Sequence, residues 1–456
     1  MTRHVAVIDI GKTNAKVALV DLADMREVAL RRVANAPVAD GPYPHHDVER
    51  LWTFILDSLA GINQEQRIDV ISITTHGATG VLVDAAGELA LPVLDYEFAG
   101  PDTLAKDYDA IRPAFAETGT PRLPVGLNLG AQIFWQQRSF PADFAKAAAI
   151  LMYPQYWALR LTGVAANEVT SLGCHTDLWS PWKADFSSLV DKMEWRRLMA
   201  PVRPAKDHLG PILPALATRT GLDPQTPVLS GLHDSNASLL PHLLSDAPPF
   251  SVVSTGTWVV SMAVGGNTVT LDPARDTLVN VNALGDPVPS ARFMGGREFS
   301  LLTEGQSEDL TEEDVATVLG RKTFLLPSTQ QGSGPFPHQT AAWLDADNIS
   351  AGQRFAAISF YLALMTATCL DLIGANGPTT VEGPFARNRL FTQMLAATTA
   401  RAVIASEAAT GTSIGAALLA SDQRTIQAKG EGIEPPADPA WANYARSWRA
   451  VVEAQS

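Results

Sequence analysis

His4-Val-Ala-Val-Ile-Asp-Ile-Gly-Lys-Thr-Asn-Ala-Lys-Val-Ala-Leu-Val-Asp21 sets two apolar runs around a short polar turn. The first run ends in Asp9, the turn opens on Gly11, and Lys12, Thr13 and Asn14 fill it with donors. The pattern predicts strand, tight turn, strand. A carboxylate at a strand end can hold a hydrated metal ion, and a glycine beside it lets backbone N–H groups approach an anion. The stretch therefore points to a hairpin that holds nucleotide phosphate.

The rest of the composition narrows the setting. Of 456 residues, 46% are apolar and 18% charged, the balance of a soluble globular chain with a large core. The formal charge of −14 argues against nucleic acid and anionic membranes as partners, since both favour a basic face. Cys174 and Cys369, far apart, make neither a disulfide framework nor a metal cluster, so a reducing cytoplasm is expected. Asp9 interrupts the first apolar run, so no signal peptide is expected, and no stretch of membrane-spanning length is expected either. A homodimer is the expectation from base rates alone.

Outward from the opening hairpin, residues 4–37 read as three strands. Val48, Leu51, Trp52, Ile55, Leu56 and Leu59 then recur at helical spacing behind Asp47, a fitting N-cap. Ile68–Thr75 reads as the next strand and runs into His76-Gly77. This order implies a mixed sheet with helices packed on it. After a mainly helical stretch, Pro227–Ser230 leads into Gly231-Leu-His-Asp-Ser-Asn236, and Ser245-Asp-Ala-Pro-Pro249 reads as a linker. The opening theme then returns in Phe250-Ser-Val-Val-Ser-Thr-Gly-Thr-Trp258, a strand feeding a glycine turn rich in hydroxyls. A distant structural repeat is expected, with domains at 1–245 and 246–456. Gln353–Ile373 reads as a long apolar helix, Thr379–Glu382 as a strand and Arg389–Thr399 as a helix.

Taken in order, Asp9-Ile-Gly-Lys-Thr-Asn14, Ile73-Thr-Thr-His-Gly77, Leu159-Arg-Leu-Thr-Gly163, Gly231-Leu-His-Asp234, Ser254-Thr-Gly-Thr257, Glu382-Gly-Pro-Phe-Ala-Arg-Asn388 and Gly415-Ala-Ala417 resemble the FGGY family of carbohydrate kinases. The resemblance runs nearly end to end. It implies an α/β chain of two actin-like (ribonuclease H-like) domains, each a mixed five-stranded sheet flanked by helices, with a cleft between them. It also implies ATP and Mg²⁺ as cofactors and a small sugar as substrate. Two elements depart from the family pattern. Leu94-Asp-Tyr-Glu-Phe98 replaces a Trp-x-Asp-x-Arg element that often contacts sugar, and Gly383-Pro-Phe-Ala386 thins the adenosine-side glycines. Asn280–Gly296 looks more like the rhamnulose-kinase branch than the glycerol-kinase branch.

The resemblance gives each motif a role beside an ordinary structural one. Asp9 would hold Mg²⁺ through water; an Asp there also caps turns. Gly11, Lys12, Thr13 and Asn14 would donate to phosphate, and Thr255, Gly256 and Thr257 would form the second phosphate turn; either stretch also suits a plain hairpin. Gly383 and Asn388 would lie near adenosine. Asp234 is the candidate general base, and its place before Ala237-Ser-Leu-Leu240 also suits a helix N-cap. A helix N-terminus holds a carboxylate ionised, so the two readings are compatible. His76, just past a strand end, would approach the sugar, as would Asp95 and Glu97 in the replaced element. His45-His46 has no matching third ligand nearby and is not read as a metal site.

The expected reaction is ATP-dependent phosphorylation of a primary hydroxyl on a ketose. Deoxy-ketohexoses such as L-rhamnulose or L-fuculose rank ahead of pentuloses, and polyols come third. The alternatives are an actin- or chaperone-like ATPase and a catalytically degenerate, sugar-responsive regulator.

Overall fold

The computed structural model describes residues 2–304, 310–406, 411–421 and 430–455. The chain divides into two units. One comprises Met1–Ser245, Val279–Pro287 and Thr410–Ile426; the other comprises Asp246–Leu278, Val288–Ala409 and Gln427–Ser456. Two later segments group with the first unit, so that unit is not one continuous stretch.

In the first unit, His4–Ile10 pairs antiparallel with Asn14–Asp21, which pairs antiparallel with Arg26–Ala34. On its other side His4–Ile10 pairs parallel with Val70–Thr75. That strand takes Pro227–Leu229 in parallel, and His208–Pro211 closes the edge antiparallel. Leu232–His233 also pairs with Val70–Thr75, which makes seven strands. Strands covered on both faces read as continuous apolar runs, and Val5 to Ile8 are fully buried. The two-residue alternation sends Ala6, Ile8 and Ile10 into a core with Leu51, Ile55 and Leu59 of helix Val48–Glu65. Val5 and Val7 point the other way, against Ala237, Ala416 and Ala417. Asp9 shares that second face.

The second unit carries another seven-stranded sheet. From Thr277–Val281 at one edge, a strand divided between the units at Leu278/Val279, it runs through Pro287–Phe293, Val259–Val264, Phe250–Thr255, Thr379–Glu382 and Val403–Ser406 to Gly430–Ile433. From Pro287–Phe293 onward its pairings are antiparallel, antiparallel, parallel, parallel and antiparallel. This is the order found in the first unit, so the repeat expected from the two glycine turns is present in the topology. Each sheet has seven strands, not the five expected. The two-residue strand Leu232–His233 and the edge strand Thr277–Val281 are too short or too isolated to stand out by periodicity.

Ala351–Leu372 is long and apolar enough to cross a membrane, which corrects the expectation that no such stretch exists. Ile358 to Met365 of this helix lie in the second unit's core with Val253, Val381 and Phe391, as expected of a central helix in a large core.

Candidate functional site

The opening hairpin closes on itself through Gly11 N–H donating to Asn14 O at 2.9 Å. A Cβ on Gly11 would stand 3.0 Å from that same oxygen, so a side chain there crowds the turn. Asn35 braces the outside, its Nδ2 donating to Gly11 O at 2.7 Å and its N–H to Thr13 O at 2.8 Å. Thr13 and Asn14 remain exposed at the tip.

Asp9 sits just before this turn and is only 6% exposed. Its carboxylate accepts from the Thr412 hydroxyl and lies 3.4 Å from Lys16 Nζ. Burial pushes its pKa up, Lys16 and Thr412 pull it back, and the charge of Asp234 pushes it up further. Among the described residues no group of three or more His, Cys, Asp and Glu side chains could hold a metal. Asp9 therefore offers one hard oxygen ligand, which fits Mg²⁺, an ion that keeps most of its waters and takes one or two carboxylates.

Lys12, in the same turn, is paired with acidic side chains. Its Nζ meets the Asp95 carboxylate, lies 3.3 Å from Glu97 and stands 4.5 Å above the Tyr96 ring. Lys12, Asp95 and Glu97 thus form one cluster, with Asp95 buried and Glu97 exposed. The element that replaces Trp-x-Asp-x-Arg is therefore tied directly to the first phosphate turn.

His76 follows strand Val70–Thr75, and its N–H donates to Ile10 O at 2.9 Å. Its Nδ1 lies 2.9 Å from Gly77 O, while its Nε2, though buried, has no hydrogen-bond partner. His46 stacks 5.2 Å away and has no partner on either ring nitrogen. Tyr96 meets His76 edge-on at 5.5 Å, and the Tyr153 ring lies 5.3 Å from it. Buried polar groups are ordinarily paired, so several orphans together mark a place built for a polar ligand. Ala78, two residues on, holds φ at +55°, a conformation rare for a residue with a Cβ.

Asp234 opens helix Asp234–Ser245, and its carboxylate accepts from Ser235 N–H at 2.6 Å. His233 Nε2 lies 3.2 Å from the same carboxylate, and its backbone N–H donates to the Thr170 hydroxyl at 2.9 Å. Thr170 in turn donates to the fully buried Glu168, from its N–H at 2.9 Å and its hydroxyl at 2.5 Å. Gly77 is the close neighbour: a Cβ there would stand 2.7 Å from His233 Nε2. Burial pushes His76 and His233 down to about 4 and His46 well below its usual value, so all three rings are neutral at pH 7. Burial raises the pKa of Asp234, against pulls from His76 and from Ser235. A raised carboxylate with neutral imidazoles around it has the character of a base.

In the second unit, Gly256 and Thr257 sit exposed at the tip of the hairpin between Phe250–Thr255 and Val259–Val264. Thr255 is buried, and its hydroxyl donates to Glu382 O and accepts from Phe385 N–H at 3.1 Å. That hydroxyl thus pins the turn to the Gly383 segment. Gly383 holds φ at +83°, and a Cβ there would stand 2.1 Å from Thr255 O. Asn388 caps helix Arg389–Thr399, accepting from Phe391 N–H at 3.1 Å, and its Nδ2 donates to Ser359 at 2.9 Å. It also lines a cavity of about 880 Å³ with Phe355, Pro384 and Arg387. A second cavity, about 680 Å³, is lined by Thr255, Gly256, Thr257, Gly296, Arg297 and Phe385, among others. Of the predicted residues of this unit, Thr255, Gly256, Thr257 and Asn388 line these cavities, and Gly383 precedes Pro384, which lines both.

Sequence reasoning missed Lys16 and Thr412 beside Asp9, the ring cluster of His46, Tyr96 and Tyr153, and Gly296–Arg297 beside the second turn. Gly295-Gly296, a doublet before a helix, is the one local signal among these.

Two hairpins of like topology, each with a glycine in its turn, on twin mixed sheets define an α/β protein of repeated architecture. Residues 4–241 match the N-terminal domain of the FGGY family of carbohydrate kinases, and residues 247–429 match the FGGY C-terminal domain. The chain belongs to the FGGY family of carbohydrate kinases. It is 39% identical to a carbohydrate kinase from Novosphingobium aromaticivorans of known structure, with a TM-score of 0.92 over 99% of both chains. A ligand-bound xylulose kinase from Lactobacillus acidophilus shares the fold, with a TM-score of 0.80 at 14% identity over 99% of this chain and 98% of that one. An L-fuculokinase from Salmonella typhi is 26% identical over 271 residues, 58% of this chain and 57% of that protein. The chain thus spans just over half the length of that relative.

Proposed function

We propose that this chain is an ATP-dependent kinase that phosphorylates a primary hydroxyl of a small ketose. In this reading Asp234 takes the proton from the sugar hydroxyl, and the freed oxygen attacks the γ-phosphorus. The bond to the β–γ bridging oxygen breaks, and ADP leaves. His76 and Asp95 receive the sugar hydroxyls, and His233 holds the Asp234 carboxylate in place. The Gly11 turn and the Gly256 turn bind phosphate, and the Gly383–Asn388 segment takes the adenosine side. Mg²⁺, held through water by Asp9, would neutralise phosphate charge when bound.

The observation that carries this reading is Asp234 itself. It is a carboxylate of raised pKa at a helix start, with His233 against it and His76, whose Nε2 has no partner, within its electrostatic reach. Relatives named L-fuculokinase and L-xylulose kinase support a ketose. ADP release that depends on an added sugar separates this reading from an actin- or chaperone-like ATPase.

The test is ADP release with L-fuculose, L-rhamnulose, L-xylulose, D-xylulose and glycerol. A ketose should stimulate turnover, and Asp234→Asn should lower that turnover by about 10²–10⁴-fold while ATP still binds. ATP turnover indifferent to every sugar, or an undiminished Asp234→Asn variant, would overturn the proposal.

A further inference from the structure

The charges of the first unit's cluster do not cancel. Lys12 and Lys16 supply two positive charges. Asp9, Asp95, Glu97 and Asp234 supply four negative ones. Lys12 is the cation within electrostatic reach of both His46 and His76, and Asp95 and Glu97 already occupy it. The imidazoles of His46, His76 and His233 bring no compensating charge, because burial keeps them neutral. What the cluster offers in its place is neutral hydrogen bonding. His76 Nε2 and both ring nitrogens of His46 are buried and without partners. The Tyr96 ring adds an apolar face, edge-on to His76.

We propose that this site selects an uncharged polyhydroxy substrate and rejects sugar acids, with Asp95, Glu97 and Lys12 as the specificity-determining residues. The inference rests on the kinase reading above and goes beyond it, because sugar kinases of this fold include one named as a gluconate kinase. A sugar hydroxyl can donate to Asp95 and accept from a histidine N–H. A substrate carboxylate can only accept. Lys12 could pair with it only by leaving two carboxylates that would then face a third. Like charges brought together in this way cost several kcal/mol of discrimination. A carboxylate in the substrate would also lie near Asp234, where it would oppose ionisation of the base.

The experiment compares kcat/KM for L-fuculose and D-xylulose with that for D-gluconate and D-xylonate in the same ADP-release assay. The neutral sugars should exceed the acids by about 10²-fold or more. Glu97→Gln, at an exposed carboxylate, should narrow that ratio by several-fold, and Lys12→Met should widen it. Raising salt should also narrow it, because charge exclusion is screened where exclusion by shape is not. Asp95→Asn gives a second test of the buried carboxylate, with its thermal midpoint checked against the parent. Equal or better use of the acids overturns the inference. So does a ratio that neither salt nor these three substitutions alter. No turnover with any acceptor, neutral or acidic, sinks the kinase reading itself and this inference with it.

Discussion

The Thr412 hydroxyl donates to the carboxylate of Asp9, a residue 403 positions earlier in the chain. Because Asp9 is buried, this bond and Lys16 are what offset the loss of water around its charge. A hydrogen bond to a charged group is worth about 1.5–3 kcal/mol. Thr412→Val should therefore lower the stability of the first unit by roughly that amount in urea denaturation, and Thr412→Ser should hold it near the parent. Equal stability of the Val and Ser variants would show that the bond carries no weight.

A Cβ on Gly415 would stand 1.7 Å from the carbonyl oxygen of Ala237. Gly415 lies in helix Thr412–Leu418 and Ala237 in helix Asp234–Ser245, so a methyl group there forces the two helices apart. Gly415→Ala should cost about 1–3 kcal/mol or more, as overpacking does, and should lower turnover because Asp234 rides on the displaced helix. Gly61 is the matched control in helix Val48–Glu65, because a Cβ added there would meet nothing within 4 Å. Gly61→Ala should gain about 0.5–1 kcal/mol. Similar thermal shifts in the two variants would contradict this contrast.

Gly296 abuts the second hairpin in the same manner: a Cβ there would stand 1.9 Å from Gly256 O. Gly296→Ala should push the Gly256 turn out of place. The expected signature is a KM for ATP raised about tenfold with the KM for sugar little changed, since a small displacement of a binding group costs affinity steeply. A change confined to the sugar KM would place the effect elsewhere.

Glu168 is fully buried, and burial raises its carboxyl to about 8 from an ordinary 4.5. The folded protein therefore keeps this proton across a range where the unfolded chain has released it. The stabilisation is complete below about pH 4.5 and is lost as pH rises toward about 8, by at most about 1.4 kcal/mol per pH unit. Glu168→Gln retains a neutral group of similar shape and should remove that slope. Urea midpoints of parent and variant, followed from pH 5 to pH 8.5, should diverge steadily. Parallel curves would mean that the carboxyl is already ionised.

His76 and His233 act in the opposite sense. Both stay neutral in the fold down to about 4, whereas an unfolded histidine protonates near 6.5. Their contribution is present above about pH 6.5 and is lost as pH falls toward about 4. His233→Gln should therefore flatten the acid limb of the stability curve. An unchanged acid limb would count against a buried neutral ring.

Local pattern makes the scaffold legible. The Thr379–Glu382 strand and the Arg389–Thr399 helix lie where periodicity places them, and Asp47 caps its helix by accepting from Arg50 N–H. Gly11, Gly256 and Gly383 are legible because a tight turn or close backbone approach has a compositional mark. The partners of the charged groups are not. Lys12 reads as a phosphate ligand from its neighbours in sequence, yet Asp95, 83 positions away, holds its amine. Thr412, His46 and Tyr153 carry no signal in their own surroundings, because their significance lies in what folding brings beside them. Resemblance sets Asn388 near adenosine, and its side chain also does the ordinary work of a helix cap.

Helix Thr412–Leu418, grouped with the first unit, bears on how the protein is made. On the ribosome, Ala416 and Ala417, which help cover the face bearing Val5 and Val7, emerge some four hundred residues after that strand. Until then only Leu232, Ala237 and their neighbours cover that face, and the apolar surface left open is a natural client for a holdase. For the same reason, a fragment ending at Ser245 would be expected to clump rather than fold.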